Sequence, residues 1–316
     1  MRVPFAVPQA RPGGFDIVGL GLNSIDLLTV VAEFPRTNSK QRLQHFARLP
    51  GGQTATAVAV CARLGWRASY LGRFGSDELG GLSRDSLDRE GVHTGSAHTV
   101  PGARNQFAVV LVDAQSGERT VLWDRDPALT MKPSEVVRDT IVAGRVLLVD
   151  CHETAAATEA ARHARSVGIP TVLDVEKVLP GIAELLRLTD AIIAAEAFPA
   201  ELTGYDAPGR ALEAMAEEFG APLVAVTLGS EGSLARCHGR EIRTPALRVN
   251  CVDSTGAGDA FHGGFAAACL LGELDLEDVL GYANAVAALN CRALGARGGM
   301  PTRDEVARLL DARARQ

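Results

Sequence analysis

The sequence predicts an α/β fold in which a mainly parallel sheet is sandwiched between helices, with a small second β-sheet beside it. Over most of the 316 residues, short apolar segments of strand length alternate with segments whose apolar residues recur every three to four positions. This alternation is typical of a parallel sheet covered on both faces, because parallel strands are joined by crossover helices. Two regions, 25–50 and 104–123, break the alternation and predict the second sheet.

Six segments have the length and composition of buried strands, and four have helical spacing. The strand segments are FDIVGLG, ASYLGRFG, RVLLVDC, IPTVLDVE, DAIIAAE and PLVAVTLG. The helical segments, each ending at a glycine suited to a helix C-cap, are TATAVAVCARLG, DELGGLSRDSLDREG, TAAATEAARHARSVG and GRALEAMAEEFG. After Asp259 the pattern is mostly helical through Leu310.

The two exceptional regions are predicted to form a β lid. The segments IDLLTVVAEF and QRLQHFARL in 25–50 lack helix caps, and RNQFAVVLVDAQSGERTVLW in 104–123 has the pattern of two strands joined by a DAQSGE turn. Residues 1–14, which contain proline and glycine, are predicted to form a flexible leader. The remaining chain, 15–316, is predicted to be one domain that includes the lid.

Composition and charge exclude several classes of protein. The chain is 47% hydrophobic and 22% charged, which suits a soluble globular domain, and its net charge of −6 provides no basic surface for nucleic acid. No apolar run reaches the roughly 18 residues of a membrane span, and residues 1–14 lack the apolar run of a signal peptide. The cysteines and histidines show no metal-ligand spacing. We therefore expect a cytoplasmic protein without nucleic-acid or membrane partners.

The stretch VDSTGAGDAFHGGFAAA at 252–268 carries the strongest chemical signal. The loop Gly256-Ala257-Gly258 has almost no side chains and precedes a helix of small residues, so its backbone N–H groups can converge on an anion beside the positive end of the helix dipole. Asp259 lies in the first turn, where a carboxylate can accept a proton from a hydroxyl that attacks phosphorus. An ordinary aspartate behind a glycine turn, stabilised by the dipole, is the alternative for these four residues.

Three motifs together resemble the PfkB, or ribokinase-like, family of sugar and nucleoside kinases. DSTGAGDAFHGGF resembles the C-terminal signature of the family. PGGQTATAVAVCARLGWRASYLGRFGSDELG at 50–80 resembles its N-terminal signature, and VTLGSEG at 226–232 resembles its nucleotide-binding strand and loop. Three motifs in the order of the family form a specific signal. The resemblance implies a ribokinase-like fold and a kinase that uses ATP with Mg²⁺.

The resemblance also implies roles for individual residues. Asp259 would be the base that takes the proton from a sugar hydroxyl. The N–H groups of Gly256, Ala257 and Gly258 would hold the charge that develops on the transferred phosphoryl group. Asp26 in GLNSID would hydrogen-bond sugar hydroxyls, although a surface aspartate at a strand end is the alternative.

Further positions match the sugar and nucleotide sites of the family. Gly51 and Gly52 would let the sugar approach the backbone closely, and Gln53 stands where the family more often has asparagine. The nucleotide contacts that the resemblance implies are Thr227, Gly229, Gly232 and Asn284. For Asn284, a helix-surface asparagine is the alternative.

The sequence departs from the family pattern before LTG at 202–204. Family members often carry N-x-x-E there, whereas this chain has Ala195 and Phe198 at those positions, and Glu196 is the nearest carboxylate. Mg²⁺ is still expected, because the phosphates of ATP need a counter-charge. This departure, together with SGERTVLWDRD and LDVEK, resembles the ketohexokinase-like and sulfofructose-kinase-like branches.

The branch resemblance implies further contacts. Lys177 would contact the nucleotide phosphates, with a solvated loop lysine as the alternative. His152 stands near the place where the sulfosugar branch has an arginine, which weakens the case for a sulfonate, and the sugar would be contacted by His152 or by Arg104 and Asn105. Asp253 with GARGGMP is compatible with a monovalent cation such as K⁺ near the anion-binding loop.

The sequence lacks the motifs of two other enzyme classes, the dinucleotide-binding dehydrogenases and the P-loop kinases, and leaves one non-catalytic class open. GLGLNS lacks the third glycine and the following helix of a dinucleotide-binding fingerprint, and the chain has no G-x-x-x-x-G-K-[ST] P-loop. A sensor that binds sugar or nucleotide on the same fold without catalysis is the alternative. We therefore predict a kinase that transfers the γ-phosphoryl of ATP to a sugar hydroxyl and dimerises through the lid.

Overall fold

Fourteen strands and ten helices make up the part of the chain that this computed structural model describes, residues 1–115, 119–272 and 274–314. In chain order the strands are β1 (Ile17–Leu20), β2 (Ser24–Val31), β3 (His45–Gly51), β4 (Ala68–Leu71), β5 (Arg73–Gly75), β6 (His98–Val100), β7 (Phe107–Asp113), β8 (Arg119–Asp124), β9 (Val146–Asp150), β10 (Thr171–Val175), β11 (Ala191–Ala194), β12 (Leu223–Thr227), β13 (Ser233–Cys237) and β14 (Arg240–Thr244). The helices are α1 (Gln53–Arg63), α2 (Glu78–Arg89), α3 (Arg138–Val142), α4 (Thr154–Arg165), α5 (Ile182–Leu188), α6 (Phe198–Thr203), α7 (Pro208–Phe219), α8 (Ala257–Leu271), α9 (Leu276–Asn290) and α10 (Arg303–Ala314).

Eight strands form the central sheet, in the order β14-β13-β12-β11-β10-β9-β1-β4. The six strands from β12 to β4 are parallel, whereas β13 and β14 are antiparallel. The six predicted strand segments are confirmed as β1, β4, β9, β10, β11 and β12, and the four helical segments as α1, α2, α4 and α7. No helix in the described ranges combines the length and the apolar character needed to cross a membrane.

Both faces of the central sheet are buried under helices, which explains why its strands are almost wholly apolar. On β10, Val172 packs in a cluster with residues of α1, α8 and α9, whereas Leu173 packs with residues of α4, α5 and α7. Successive side chains of a strand point to opposite faces. Asp174, two residues after Val172, therefore lies on the α8 face, and it is buried there.

The sequence pattern does not predict the hairpin of β13 and β14. Its strands flank a two-residue turn, His238 and Gly239, with φ angles of 48° and 74°. The strand β14 lies at the edge of the sheet and has the sequence REIRT, so its charged residues hide the apolar pattern of a buried strand. The two-residue His238-Gly239 turn, which requires positive φ, is the signal in the sequence that indicates a hairpin here.

A second sheet contains the four strands expected from 25–50 and 104–123. Its order is β3-β2-β7-β8, with β2 and β7 parallel and the other pairs antiparallel. The predicted DAQSGE turn between β7 and β8 includes residues 116–118, which lie outside the described residues. The register pairs Asp26 with Leu49 and Ala108, and Ala108 with Trp123, so these side chains share one face of the sheet.

Residues 1–14, the predicted leader, lie along the body of the molecule. Met1, Val3, Phe5 and Val7 pack against the core on the α8 and α9 side of the central sheet. The backbone N–H of Leu276 donates to the Met1 carbonyl oxygen at 2.6 Å. The alternating apolar residues of the segment account for this packing, because they place one face of an extended chain against the core.

Candidate active site

Several predicted site residues lie at the carboxyl edge of the central sheet, where open α/β sheets bind their ligands. His152 follows β9, Lys177 follows β10, and Thr227 ends β12. Asp150, the last residue of β9, and Glu176, which follows β10, lie at the same edge and were not predicted as site residues. Helix α8, which carries Asp259, packs against α1 and β10 at this edge. Parallel strands thus bring together residues that lie far apart in the sequence.

The anion loop, residues 253–258, has the geometry that its glycines predict. Gly256 has a φ of 72°, and a Cβ at this position would lie 2.5 Å from the Ala296 carbonyl oxygen. A Cβ on Gly258 would meet nothing within 4 Å, so the space beside it is open. In the same loop the hydroxyl oxygen of Thr255 is buried and has no hydrogen-bond partner. The Ala257 N–H of this loop donates to the Ser254 carbonyl oxygen at 3.2 Å. The open space therefore lies beside Gly258, at the N-terminal end of α8, where the N–H groups of a first helical turn lack partners within the helix.

Asp259 is the third residue of α8, and its side chain is half-buried. Burial, together with the negative charge of Asp174, raises the pKa of Asp259 to about 7, and His262 opposes this shift. A carboxylate with a pKa near neutrality is well matched to accept a proton at physiological pH. The structure thus places a carboxylate with a pKa near neutrality in the first turn of α8, directly after the glycine loop.

Asp26 and the Gly51-Gly52 turn come together across the first two strands of the second sheet. A Cβ on Gly51 would lie 2.7 Å from Asp26 Oδ2, and a Cβ on Gly52, whose φ is 89°, would lie 2.5 Å from Asn23 Cα. Gly52 therefore requires glycine, because its φ is positive and the nearest atoms are backbone, whereas a side chain at Gly51 would displace the Asp26 carboxylate. Burial raises the pKa of Asp26 to about 6, against the effect of the Ser24 hydroxyl, which donates to Oδ1 at 3.1 Å. Asp26 is thus a buried carboxylate and not a surface residue.

Gln53 begins α1 directly after this turn, and its Oε1 atom is buried without a hydrogen-bond partner. A buried acceptor that is left unpaired costs about 1–3 kcal/mol. A hydroxyl of a ligand beside Asp26 would donate to it. This unpaired amide oxygen independently supports the prediction that Gln53 contacts a polyhydroxyl substrate.

Arg297 is a site residue that sequence reasoning missed. Its buried guanidinium donates from Nε to Thr56 Oγ1 at 3.1 Å, from Nη1 to Ser86 Oγ at 3.0 Å, and from Nη2 to the Gly51 carbonyl oxygen at 2.9 Å. Burial lowers the pKa of Arg297 to about 10, while the negative charge of Asp259 favours its charged form. A buried cation thus ties the Gly51-Gly52 turn to α1 and α2. The sequence signal is the arginine of GARGGMP, whose distant partners a local pattern does not reveal.

His152, Glu176, Lys177 and Trp123 form a cluster between the two sheets. His152 Nε2 and Lys177 Nζ lie 3.1 Å and 3.4 Å from the same Glu176 oxygen, Oε1. Burial lowers the pKa of His152, but the hydrogen bond and charge of Glu176 outweigh it and raise the pKa overall. Lys177 Nζ also lies 5.6 Å from the centre of the Trp123 ring. Trp123 of β8 therefore contacts the body close to two of the predicted site residues.

Arg104 and Asn105 differ in their access to a ligand. Asn105 is buried, its Oδ1 accepts from the Gly75 N–H at 3.0 Å, and its Nδ2 donates to the Gln106 carbonyl oxygen at 3.0 Å. Arg104 is exposed and lies 3.0 Å from Asp124. Of the two, Arg104 has the side chain that can turn toward a substrate.

The predicted nucleotide residues lie at the end of β12 and beside it. Gly232 has a φ of 95°, and a Cβ there would lie 2.1 Å from the Thr244 carbonyl oxygen. Asn284 is buried, and its Nδ2 donates to the same Thr244 oxygen at 3.2 Å. Thr227 and Gly229 precede Gly232 in the loop. The unpredicted hairpin β13–β14 thus holds both the loop and the helix that carries Asn284.

The candidate metal residues have different surroundings. Glu196 is exposed, whereas Phe198 is buried, so the family's glutamate position supplies no carboxylate here. The two oxygens of Asp253 accept from the N–H groups of Thr255 and Gly295, each at 2.8 Å. Asp253 therefore ties the anion loop to the GARGGMP segment. Within residues 1–115, 119–272 and 274–314, no three His, Cys, Asp or Glu side chains converge as a metal site.

Comparisons with known proteins agree with this geometry. Residues 15–303 match the family described as pfkB family carbohydrate kinase. The ribokinase of Haemophilus influenzae is 28% identical over 300 residues, covering 92% of this chain and 97% of the relative. Fructokinase-1 of Oryza sativa subsp. japonica is 27% identical over 322 residues, covering 94% and 98%. The structure of Arabidopsis thaliana ribokinase complexed with ribose and ATP has a TM-score of 0.82 at 27% identity and covers 94% of this chain and 99% of that one.

Proposed function

We propose a mechanism from the premise that the chain belongs to the pfkB family of carbohydrate kinases, which transfer a phosphoryl group from ATP to a sugar hydroxyl. The observation that carries the proposal is the open space beside Gly258 at the start of α8, directly next to Asp259. In this space the sugar hydroxyl and the γ-phosphoryl group of ATP meet. A non-catalytic sensor would have no use for a base with a raised pKa at this place.

In the proposed reaction, Asp259 takes the proton of the sugar hydroxyl as its oxygen attacks the γ-phosphorus. The new P–O bond forms as the bond to the β–γ bridging oxygen breaks, and that oxygen leaves with ADP. The N–H groups of Gly256, Ala257 and Gly258 would hold the phosphoryl oxygens at the positive end of α8, and the Ala257 N–H would exchange the Ser254 carbonyl oxygen, at 3.2 Å, for the phosphoryl group. The buried, unpaired Thr255 hydroxyl would donate to the same oxygens only after a shift of the loop exposes it.

The sugar lies between the second sheet and the body. Asp26 accepts from sugar hydroxyls, the Gly51-Gly52 turn allows close approach, and the unpaired Oε1 of Gln53 accepts one more hydroxyl. The second sheet would act as the lid: Trp123 is 60% exposed, its ring centre lies 5.6 Å from Lys177 Nζ, and closure of the lid over a bound sugar would bury it. A closed lid keeps water away from the phosphoryl group, since water competes with the sugar as nucleophile.

ATP enters from the other side of the anion loop, with its base near Thr227, Gly229, Gly232 and Asn284, and its phosphates near Lys177. Mg²⁺, when bound with ATP, neutralises phosphate charge. Glu196 is the carboxylate placed to hold its water shell from the protein side. A K⁺ ion near Asp253 would be held by backbone carbonyl oxygens, because both Asp253 oxygens already accept backbone N–H groups.

The substrate class that the site favours is a neutral pentose or ketohexose. Its acceptors, Asp26 and Gln53, would accept hydrogen bonds from sugar hydroxyls. The buried cation Arg297 donates from Nε, Nη1 and Nη2 to protein oxygens, so these hydrogen bonds are not directed at an anionic group of a substrate. The relatives named ribokinase and fructokinase agree with that class. His152 and Arg104 are placed at the rim, where they distinguish one sugar from another. We also infer a cytoplasmic location, where ATP is supplied.

We infer a homodimer that forms through the outer face of the lid, the face opposite Asp26. Register places Leu27, Val109 and Leu122 in one row of this face and Phe46 and Leu111 in the next. Phe46 is 52% exposed and Leu122 is 57% exposed. An apolar sheet face of this kind is normally covered, and a second copy offers a matching face.

The experiment that tests the proposed function measures ADP release from Mg-ATP with pentoses, ketohexoses, sulfonated sugars, acidic sugars and nucleosides. One sugar should stimulate ADP release strongly. Asp259→Asn should lower this turnover by about 10²–10⁴-fold, as expected for a lost general base, while sugar binding measured by calorimetry stays close to wild type.

Asp278→Asn is the matched control, because Asp278 holds the same third position in α9 and is exposed. It should keep wild-type turnover. Near-normal turnover in Asp259→Asn would contradict the proposed base. Sugars that raise the melting temperature without stimulating ADP release in the wild type would favour the sensor.

A further inference from the structure

The strand β8 presents three side chains on the face of the second sheet that carries Asp26. Register pairs Trp123 with Ala108, and Ala108 with Asp26. Alternate residues of a strand point to the same side, so Arg119 and Val121 share this face. Val121 is 49% exposed and Trp123 is 60% exposed. Two large apolar side chains therefore lie open to solvent on the face that carries the proposed sugar carboxylate.

Two contacts fix the position of β8 over the body. Arg119 Nη1 donates to the hydroxyl oxygen of Ser254, in the anion loop, at 2.7 Å. Lys177 Nζ, after β10, lies 5.6 Å from the centre of the Trp123 ring. Val121 lies between these two contacts along the strand. The exposed apolar surface of β8 therefore borders the space in which the sugar hydroxyl and the phosphoryl group are proposed to meet.

The row across the second sheet places this apolar surface opposite a carboxylate. Neighbouring strands lie about 4.8 Å apart, so the backbones of β2 and β8 are separated by about 10 Å. Ala108 is the residue between them in this row, and its side chain is a single methyl group. A ligand that spans this distance contacts an acceptor at Asp26 and a large flat ring at Trp123.

A sugar in its ring form matches both ends of this row. Its hydroxyl groups lie around the edge of the ring, where Asp26 and the unpaired Oε1 of Gln53 would accept their hydrogen bonds. Its C–H groups lie on the faces of the ring, and indole offers them a large, rigid apolar area. Lys177 covers only part of the Trp123 ring, since 60% of the side chain is exposed. An open-chain polyol has similar hydroxyl groups without a fixed C–H face.

We propose that Trp123, with Val121 beside it, is a specificity-determining residue that stacks on the C–H face of a cyclic sugar and selects this form over an open chain. The proposal rests on the proposed function in taking a sugar as the ligand of Asp26, and it adds the form in which that sugar binds. An open-chain ligand would leave the Trp123 ring in contact with water, so it would lose the free energy of burying that apolar surface.

The first test needs no turnover. Trp66→Phe leaves Trp123 as the only tryptophan of the chain. In this variant, deuterated except at tryptophan, saturation of the indole protons should pass in NMR to the C–H protons of the bound sugar. Trp123→Leu, which keeps only Trp66, should show no transfer. A sugar that binds by calorimetry but receives no saturation in Trp66→Phe would overturn the proposal, as would transfer to a non-hydrolysable ATP analogue and not to the sugar.

The second test compares ring and open-chain ligands by calorimetry. An anhydro sugar, which is fixed as a ring, should bind the wild type more tightly than the polyol of the same carbon number, and Trp123→Leu should lower that ratio by about 2- to 10-fold. Leu122→Val, on the opposite face of β8, is the matched control and should keep the ratio. An unchanged ratio in Trp123→Leu would contradict the stacking even where the sugar stimulates ADP release. Because the ratio is measured without turnover, a lack of sugar-stimulated ADP release would contradict the proposed function and not the stacking.

Discussion

Gly256 and Gly258 differ in the atoms that an added methyl group would contact. An alanine at one position should therefore change stability, and an alanine at the other should change catalysis. Gly256→Ala introduces a Cβ 2.5 Å from the Ala296 carbonyl oxygen at a φ of 72°. It should lower the free energy of unfolding by about 1–3 kcal/mol. Gly258→Ala introduces a Cβ into open space. It should leave stability within about 0.5 kcal/mol and lower kcat, because the methyl group fills the phosphoryl site.

Urea unfolding and steady-state kinetics on both variants check this prediction. Equal stability of the two variants would show that the turn tolerates a side chain at Gly256. Wild-type kcat in Gly258→Ala would show that the phosphoryl group lies elsewhere.

At the residue scale, the sequence predicts site features whose residues lie close together in the chain. The order of glycines before Asp259 predicts both the loop and the start of α8, and the structure has both. His262 lies inside the same motif, yet it contacts Asp174 and Ile193, which belong to two different strands. Arg297 likewise depends on Thr56, more than 200 residues earlier. Such partners follow from the fold and not from local spacing.

The strand β8 presents two faces with different tasks. Trp123 faces the body, where Lys177 Nζ lies over its ring, whereas Leu122 lies on the outer face of the second sheet. Trp123→Ala should raise the KM for sugar by about 2- to 30-fold, the range of a lost cation–π contact. It should also raise the fraction of ADP released without sugar, because water enters the site.

Leu122→Asp is the paired variant. It should shift the protein from dimer to monomer in light scattering and leave the sugar-free release of ADP low. If Trp123→Ala had no effect on either kinetic quantity, β8 would not close the site. If Leu122→Asp stayed dimeric, the outer face of the lid would not be the dimer interface.

At the element scale, a strand can be predicted when its residues are all apolar or alternate between apolar and polar. A strand whose charged residues follow neither pattern cannot. The two exceptional regions gave the four strands of the second sheet because their alternation has no helical period. The strand β14 was not predicted, because three of the five residues in REIRT are charged and only one strand lies beside it at the sheet edge. That hairpin holds Gly232 and Asn284, so the nucleotide side of the site was the less predictable one.

Burial of Asp26, the carboxylate proposed to bind sugar, lowers the stability of the whole molecule above neutral pH. Burial raises the pKa of Asp26 from 3.8 to about 6. As pH rises between these values the unfolded chain loses this proton first, so folding becomes less favourable, and the full cost persists at higher pH. Asp26→Asn stays neutral and should raise the free energy of unfolding by about 1–3 kcal/mol at pH 8, with little change at pH 4.

Urea unfolding of both proteins at the two pH values measures this difference, and calorimetry should show that Asp26→Asn binds sugar weakly. A variant that is less stable than wild type at pH 8 would show that the Asp26 charge is well compensated in the fold. The interactions of the Asp26 carboxylate would then stabilise the fold by more than its desolvation destabilises it.

One residue, Gly52, separates the last residue of β3 from the first residue of α1. The second sheet therefore has no linker on this side. If it moves as the proposed lid, Asp26 moves with it, whereas Gln53 stays with the body, as does the Gly51 carbonyl oxygen that accepts from the buried Arg297. The proposed sugar site is then divided across a hinge at Gly51 and Gly52, and an open lid has only part of that site. The measured affinity for sugar would consequently include the free energy of closing the lid, and the bound sugar would hold the lid closed.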